Sequence, residues 1–88
     1  MERHFKGAAN HWRIEILLRV SEIEGATVAQ LATYLRANFK TISQHTHSLV
    51  RAGLLDKKYQ GREVTHSLSP YGKRFIRFIK EFRGITSP

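Results

Sequence analysis

The chain has no cysteine, few acidic residues and no long apolar run, and each shortage removes a class of protein. Without cysteine there is no disulfide framework and no thiolate metal site, and nothing points to an oxidising compartment. The simplest expected compartment is the cytoplasm. No stretch reaches the roughly 18 apolar residues that a membrane span needs, and the segment from Met1 to Arg13 lacks the apolar core of a signal peptide. Only seven Asp and Glu stand against fifteen Lys and Arg, which gives a formal charge of +8. Such a surplus attracts polyanions and releases their counterions. Also missing are paired carboxylates at working spacing, a Gly-rich phosphate loop and a carboxylate partner for Ser and His. No enzyme and no cofactor are therefore expected.

What is present reads as one domain over residues 1–88, small enough that only about 60 to 65% of the unfolded surface can be buried. Asn10 to Ile23 has a helical pattern with apolar residues on two sides: Ile14, Leu17 and Leu18 on one, Trp12, Ile16, Val20 and Ile23 on the other. Only Glu15, Arg19 and Glu22 mark a solvent strip, so this should be the central helix, ended by Glu24-Gly25. Upstream, Glu2 to Ala9 is a weaker helical candidate, in which His4 and Phe5 fold back or pack against a second subunit.

Thr27 is placed as an N-cap, with Gln30 at capping-box spacing. Val28, Leu31, Ala32 and Leu35 then form an apolar helical face, and Arg36-Ala37-Asn38 supplies a turn whose Asn38 can cap the next helix. Two helices joined by so short a turn cross steeply, which is helix-turn-helix spacing, here over residues 27–52. From Phe39 to Ala52 the pattern is two-faced, with Phe39, Ile42, Thr46, Leu49 and Val50 opposite Lys40, Gln44, His47 and Arg51. Thr41, Ser43 and Ser48 lie at the flanks. The polar face has no Asp or Glu, whereas a merely solvated face usually mixes both signs.

Gly53 stops that helix, and a hairpin over residues 55–68 follows with Gln60-Gly61-Arg62 as turn material. Lys57, Lys58 and Arg62 sit at or near its tip, within reach of a nucleic-acid backbone or minor groove. Ser69 with Pro70 begins a last helix, expected over residues 70–83. Tyr71, Phe75, Phe78, Ile79 and Phe82 make its apolar face, opposite Lys73, Arg77 and Lys80. That is more aromatic surface than so small a core needs, so part of it is expected to be a subunit interface. The architecture is mainly α with a small β-hairpin wing, a winged helix-turn-helix of about five helices and a two-stranded ribbon.

The segment from Leu35 to Leu55, followed by Lys57 to Gly72, resembles the winged-helix repressors of the ArsR type and more distantly the MarR type, over about residues 10–72. The specific matches are Leu35, Thr41-Ile42-Ser43, His45, Leu49, Ala52-Gly53-Leu54, Gly61-Arg62, Val64, Ser67-Leu68-Ser69-Pro70 and Gly72. The resemblance implies a dimeric regulator of double-stranded DNA with its second motif helix in the major groove, and dimerisation through the terminal helices. On that pattern Lys40, Thr41, Ser43, Gln44 and His47 face the groove, Lys57, Lys58 and Arg62 lie on the wing, and Arg36 and Arg51 add phosphate contacts. Phe5, Tyr71, Phe75, Phe78, Ile79 and Phe82 then form the dimer interface. Two positions depart from the family, Thr46 where it has a large apolar residue and Thr65 where it has an aromatic. The metal-sensing motifs, paired cysteines in the first motif helix or His and acidic ligands on the last helix, are absent from Val28 to Leu31 and from Arg74 to Phe82.

Five histidines do not assemble a metal site by spacing: His45 and His47 are two apart on a helix, and His4 and His11 are two turns apart. No metal is expected. The leading function is a sequence-specific transcriptional regulator, a homodimer on a palindromic operator, with any small-molecule effector unassigned. The alternative is a winged-helix protein-interaction module. A third reading takes the basic, aromatic last helix as a membrane-surface anchor, and the expectation is no membrane.

Overall fold

The computed structural model describes the backbone of residues 2–86 and the side chains of residues 10–82. Four helices and one hairpin follow in the order α1 (Glu2–Glu22), α2 (Val28–Leu35), α3 (Phe39–Arg51), β1 (Leu55–Gln60), β2 (Glu63–Leu68) and α4 (Pro70–Thr86). The count is four helices rather than about five, because Glu2 to Ala9 and Asn10 to Glu22 form one continuous helix. No proline interrupts residues 2–22, so nothing in the backbone forces a break.

As its two-sided apolar pattern predicts, α1 lies at the centre and packs on α2, α3, α4 and β2. It buries Ile16, Leu17 and Val20 against Leu31 and Ala32 of α2, Ile42 and Leu49 of α3, Leu55 of β1 and Ile76 of α4. Burial of these side chains supplies the main driving force for assembly, at roughly 1.5 to 3 kcal/mol for each large one.

The hairpin is antiparallel, with Leu55 opposite Leu68, Lys57 opposite His66 and Tyr59 opposite Val64. Its loop is the two-residue Gly61-Arg62, and Gly61 has φ 63° in the first loop position, where a type II′ turn requires glycine. Ala26 adds a single-residue bridge to the outer edge of β2: the His66 N–H donates to the Ala26 carbonyl at 2.8 Å, and the Gly25 N–H donates to the His66 carbonyl at 3.0 Å. The His66 ring also engages the Ala26 carbonyl through Nδ1, at 3.1 Å, and His66 is buried. It therefore anchors the wing root in the core, on the same ribbon face as Lys57 and Tyr59.

At the start of α4, the Ser69 hydroxyl accepts from the Gly72 N–H at 2.9 Å and donates to the Gly53 carbonyl. The cap thus ties α4 to the turn that ends α3. The core residue of α4 is Ile76, roughly a third of a turn round the helix from the stripe Tyr71, Phe75, Phe78 and Phe82. Phe75 and Ile79 are half-buried, whereas Tyr71, Phe78 and Phe82 are exposed. The side chains of His4 and Phe5 lie outside the described residues.

Candidate nucleic-acid interface

The turn between α2 and α3 is fixed at both ends by its own sequence. Thr27 and Gln30 form a reciprocal capping box, the Gln30 N–H donating to Thr27 Oγ1 at 3.2 Å and the Thr27 N–H to Gln30 Oε1 at 2.9 Å. Arg36 closes α2 in the left-handed conformation, φ 52°, so that its N–H and that of Ala37 reach carbonyls of the last turn. A side chain rarely accepts that conformation, and glycine is the usual choice. Arg36 thus places an exposed cation at the turn. Asn38 Oδ1 then accepts from the Lys40 N–H at 2.8 Å and the Thr41 N–H at 3.4 Å, starting α3.

On α3 the two faces separate as the sequence requires. Ile42, Thr46 and Leu49 are buried, and Lys40, Gln44, His47 and Arg51 are exposed. Thr41 and Ser43 are half-buried at the flanks. Phe39 breaks the expectation, since it is 57% exposed at the first turn of the helix. One turn earlier in the fold Tyr34 is exposed as well. Periodicity put Phe39 on the buried side, but here it lines an open cleft shared with Val28 and Ala29 of α2 and Val64 of β2, which do not close over it.

The wing cations divide between the two faces of the ribbon. Lys57 and Tyr59 share one face, with the Lys57 ammonium 5.8 Å from the centre of the Tyr59 ring. Lys58 points to the other face opposite Thr65, whose hydroxyl donates to the Lys58 carbonyl at 3.3 Å. Arg62 projects from the loop. The two-residue spacing of Lys57 and Tyr59 along the strand sets them on one face, as the alternation Leu55, Lys57, Tyr59 in the sequence predicts.

His45, in contrast, turns away from the exposed face of α3. It is half-buried, and burial followed by the positive charge of Arg13 on α1 holds its imidazole below the ordinary histidine pKa. Among the described residues no three His, Asp or Glu side chains gather as metal ligands, and the chain has no cysteine. Among the same residues no helix is long and apolar enough to cross a membrane.

The family model for bacterial regulatory proteins of the arsR family matches residues 11–57. The chain is 37% identical over 67 residues to the arsenical resistance operon repressor of Escherichia coli (strain K12), an alignment covering 76% of this chain and 57% of that protein. Among solved structures, RV1404 from Mycobacterium tuberculosis superposes with a TM-score of 0.79 at 25% identity, over 84% of this chain and 52% of that one. FabT of Streptococcus pneumoniae, solved in complex with DNA, shares the fold with a TM-score of 0.77 at 18% identity, over 83% and 53% of the two chains. The chain thus spans little more than half the length of these relatives. The matched segment holds α2, α3 and most of α1, the elements that build the capped turn and its acid-free face. By sequence and by architecture, then, this chain belongs to the arsR family of bacterial regulatory proteins.

Proposed function

We propose that the chain is a sequence-specific DNA-binding transcriptional regulator, acting as a homodimer on a palindromic operator. The observation that carries this reading is the exposed face of α3, which presents Lys40, Gln44, His47 and Arg51 without one acidic side chain, beside a wing bearing three exposed cations. In this arrangement α3 enters the major groove and the wing meets the backbone or the minor groove. Lys40, Arg51, Lys57, Lys58 and Arg62 supply phosphate attraction, and Gln44, with Thr41, Ser43 and His47, supplies base contacts. The exposed stripe Tyr71, Phe78 and Phe82 on α4, with Phe75 and Ile79 beside it, supports a subunit interface. The repressor named among the relatives and the DNA complex of a protein of the same fold support the DNA reading.

Exposed Tyr34 near the end of α2 and exposed Phe39 at the start of α3 favour a second reading as a protein-docking module. A gel shift with random duplex across a range of salt separates the two. The DNA reading expects binding that weakens steeply as salt rises; no binding at low salt would leave the docking module.

A further inference from the structure

Between α3 and the wing lies a cleft of about 160 Å³. One wall is the α3 stripe of Ser43, Thr46 and His47, and the other is the wing face that carries Lys57, Tyr59 and His66. No acidic residue lines it. We propose that this cleft is a seat for one phosphate group, gripped at its rim by Ser43, His47 and Lys57.

Two features fit that occupant. Ser43 and His47 are four apart on one helix and so stack on the side facing the wing, while Lys57 comes from the opposite wall. A hydroxyl, an imidazole and an ammonium thus converge as hydrogen-bond donors on one small volume, a set suited to a tetrahedral anion. Beneath the rim the walls do not satisfy their own polar groups: Thr46 is 1% exposed and its hydroxyl has no hydrogen-bond partner. The cleft is open to solvent and its floor at Thr46 is closed off by packing, so the occupant is held at the rim and not by the Thr46 hydroxyl. Finally, Tyr59 holds the Lys57 ammonium over its ring, restricting it to the cleft side of the ribbon.

The seat rests on the DNA reading for its principal source of phosphate, the strand that runs between a groove-reading helix and its wing. It alters that reading at two residues, since Ser43 and His47 then hold the backbone, leaving Gln44 as the base reader beside them. Lys58, on the far face of the ribbon, takes no part.

The test uses the tightest duplex that the protein selects from a random pool, resynthesised with a neutral methylphosphonate at each phosphate in turn. One phosphate per half-site is expected to cost about tenfold in affinity when neutralised. In Lys57→Gln and in His47→Gln that same neutralisation should cost almost nothing, because the grip is already gone. If every phosphate keeps its wild-type cost in both variants, the seat is wrong, while salt-dependent binding of the duplex leaves the DNA reading standing. If no duplex is bound at all, inorganic phosphate titrated against histidine-labelled protein at constant ionic strength decides. A saturable shift of the His47 ring signals, absent from Lys57→Gln, assigns the cleft to free phosphate; no shift, or one matched by chloride, overturns the proposal.

Discussion

Gly72 lies against the carbonyl of Leu54, so close that a Cβ on Gly72 would stand 2.0 Å from the Leu54 oxygen. Because Ser69 bonds the neighbouring Gly53 carbonyl, the first turn of α4 is clamped to the turn that ends α3 at two points. Gly72→Ala must therefore push α4 off that turn. A loss of roughly 2 to 3 kcal/mol in urea unfolding is expected, as for overpacking against backbone that cannot give way. A stability within about 0.5 kcal/mol of wild type would mean that α4 is free to slide.

Thr46 offers the opposite case. Its hydroxyl is buried without a partner, and valine has nearly the same shape. Thr46→Val is expected to stabilise the free protein by about 1 to 2 kcal/mol, the cost of an unsatisfied buried group removed. Thermal unfolding in phosphate-free buffer checks it, and a lowered midpoint would show that the hydroxyl is satisfied.

Ile76 and Phe78 are two residues apart on α4 and have opposite fates. Ile76 is 4% exposed in the core, whereas Phe78 is 62% exposed and stacks on Phe82 with ring centres 6.5 Å apart. Phe78→Asp is expected to leave a folded chain that sediments as a monomer; Ile76→Asp should abolish the fold by burying an unpaired charge. If Phe78→Asp sediments like wild type, the aromatic stripe is not the subunit interface.

Much of this was legible in the sequence because the signals were local. The capping box at Thr27, the Asn38 cap, the Gly61 turn and the Ser69-Pro70 start depend only on neighbouring residues, and each stands where the sequence puts it. The misreadings involve relations between elements. Phe39 has apolar periodicity but lines an open cleft that α2 and β2 do not close, and Ile76 was overlooked because the louder aromatic stripe drew the helix face toward itself. His66 alternates like a wing residue, yet the one-residue bridge to Ala26 draws it into the core, and no period in the sequence marks a bridge of that length. Likewise, the direction of His45 toward Arg13 follows from how α1 crosses α3.

That crossing has a pH consequence. The folded chain holds the His45 pKa below its unfolded value, first through burial and then through Arg13. The unfolded chain therefore binds the proton more readily. Stability from this group is fully present above about pH 6.5, the unfolded value, and is lost as pH falls through the folded pKa. His45→Gln should flatten the slope of stability against pH over that acid window, as measured by urea unfolding. An unchanged slope would assign the acid sensitivity to other groups.

The division of labour between α3 and the wing is tested most directly by measuring affinity for the selected duplex and its single-base variants across salt. The comparison is between wild type, Gln44→Ala and Arg62→Ala. Gln44→Ala is expected to lose about 1 to 3 kcal/mol of preference at one base pair with its salt dependence intact. Arg62→Ala is expected to weaken every duplex alike and to lower the slope of log affinity against log salt by about one. Equal weakening of all duplexes by Gln44→Ala, together with an unchanged salt slope for Arg62→Ala, would contradict the account.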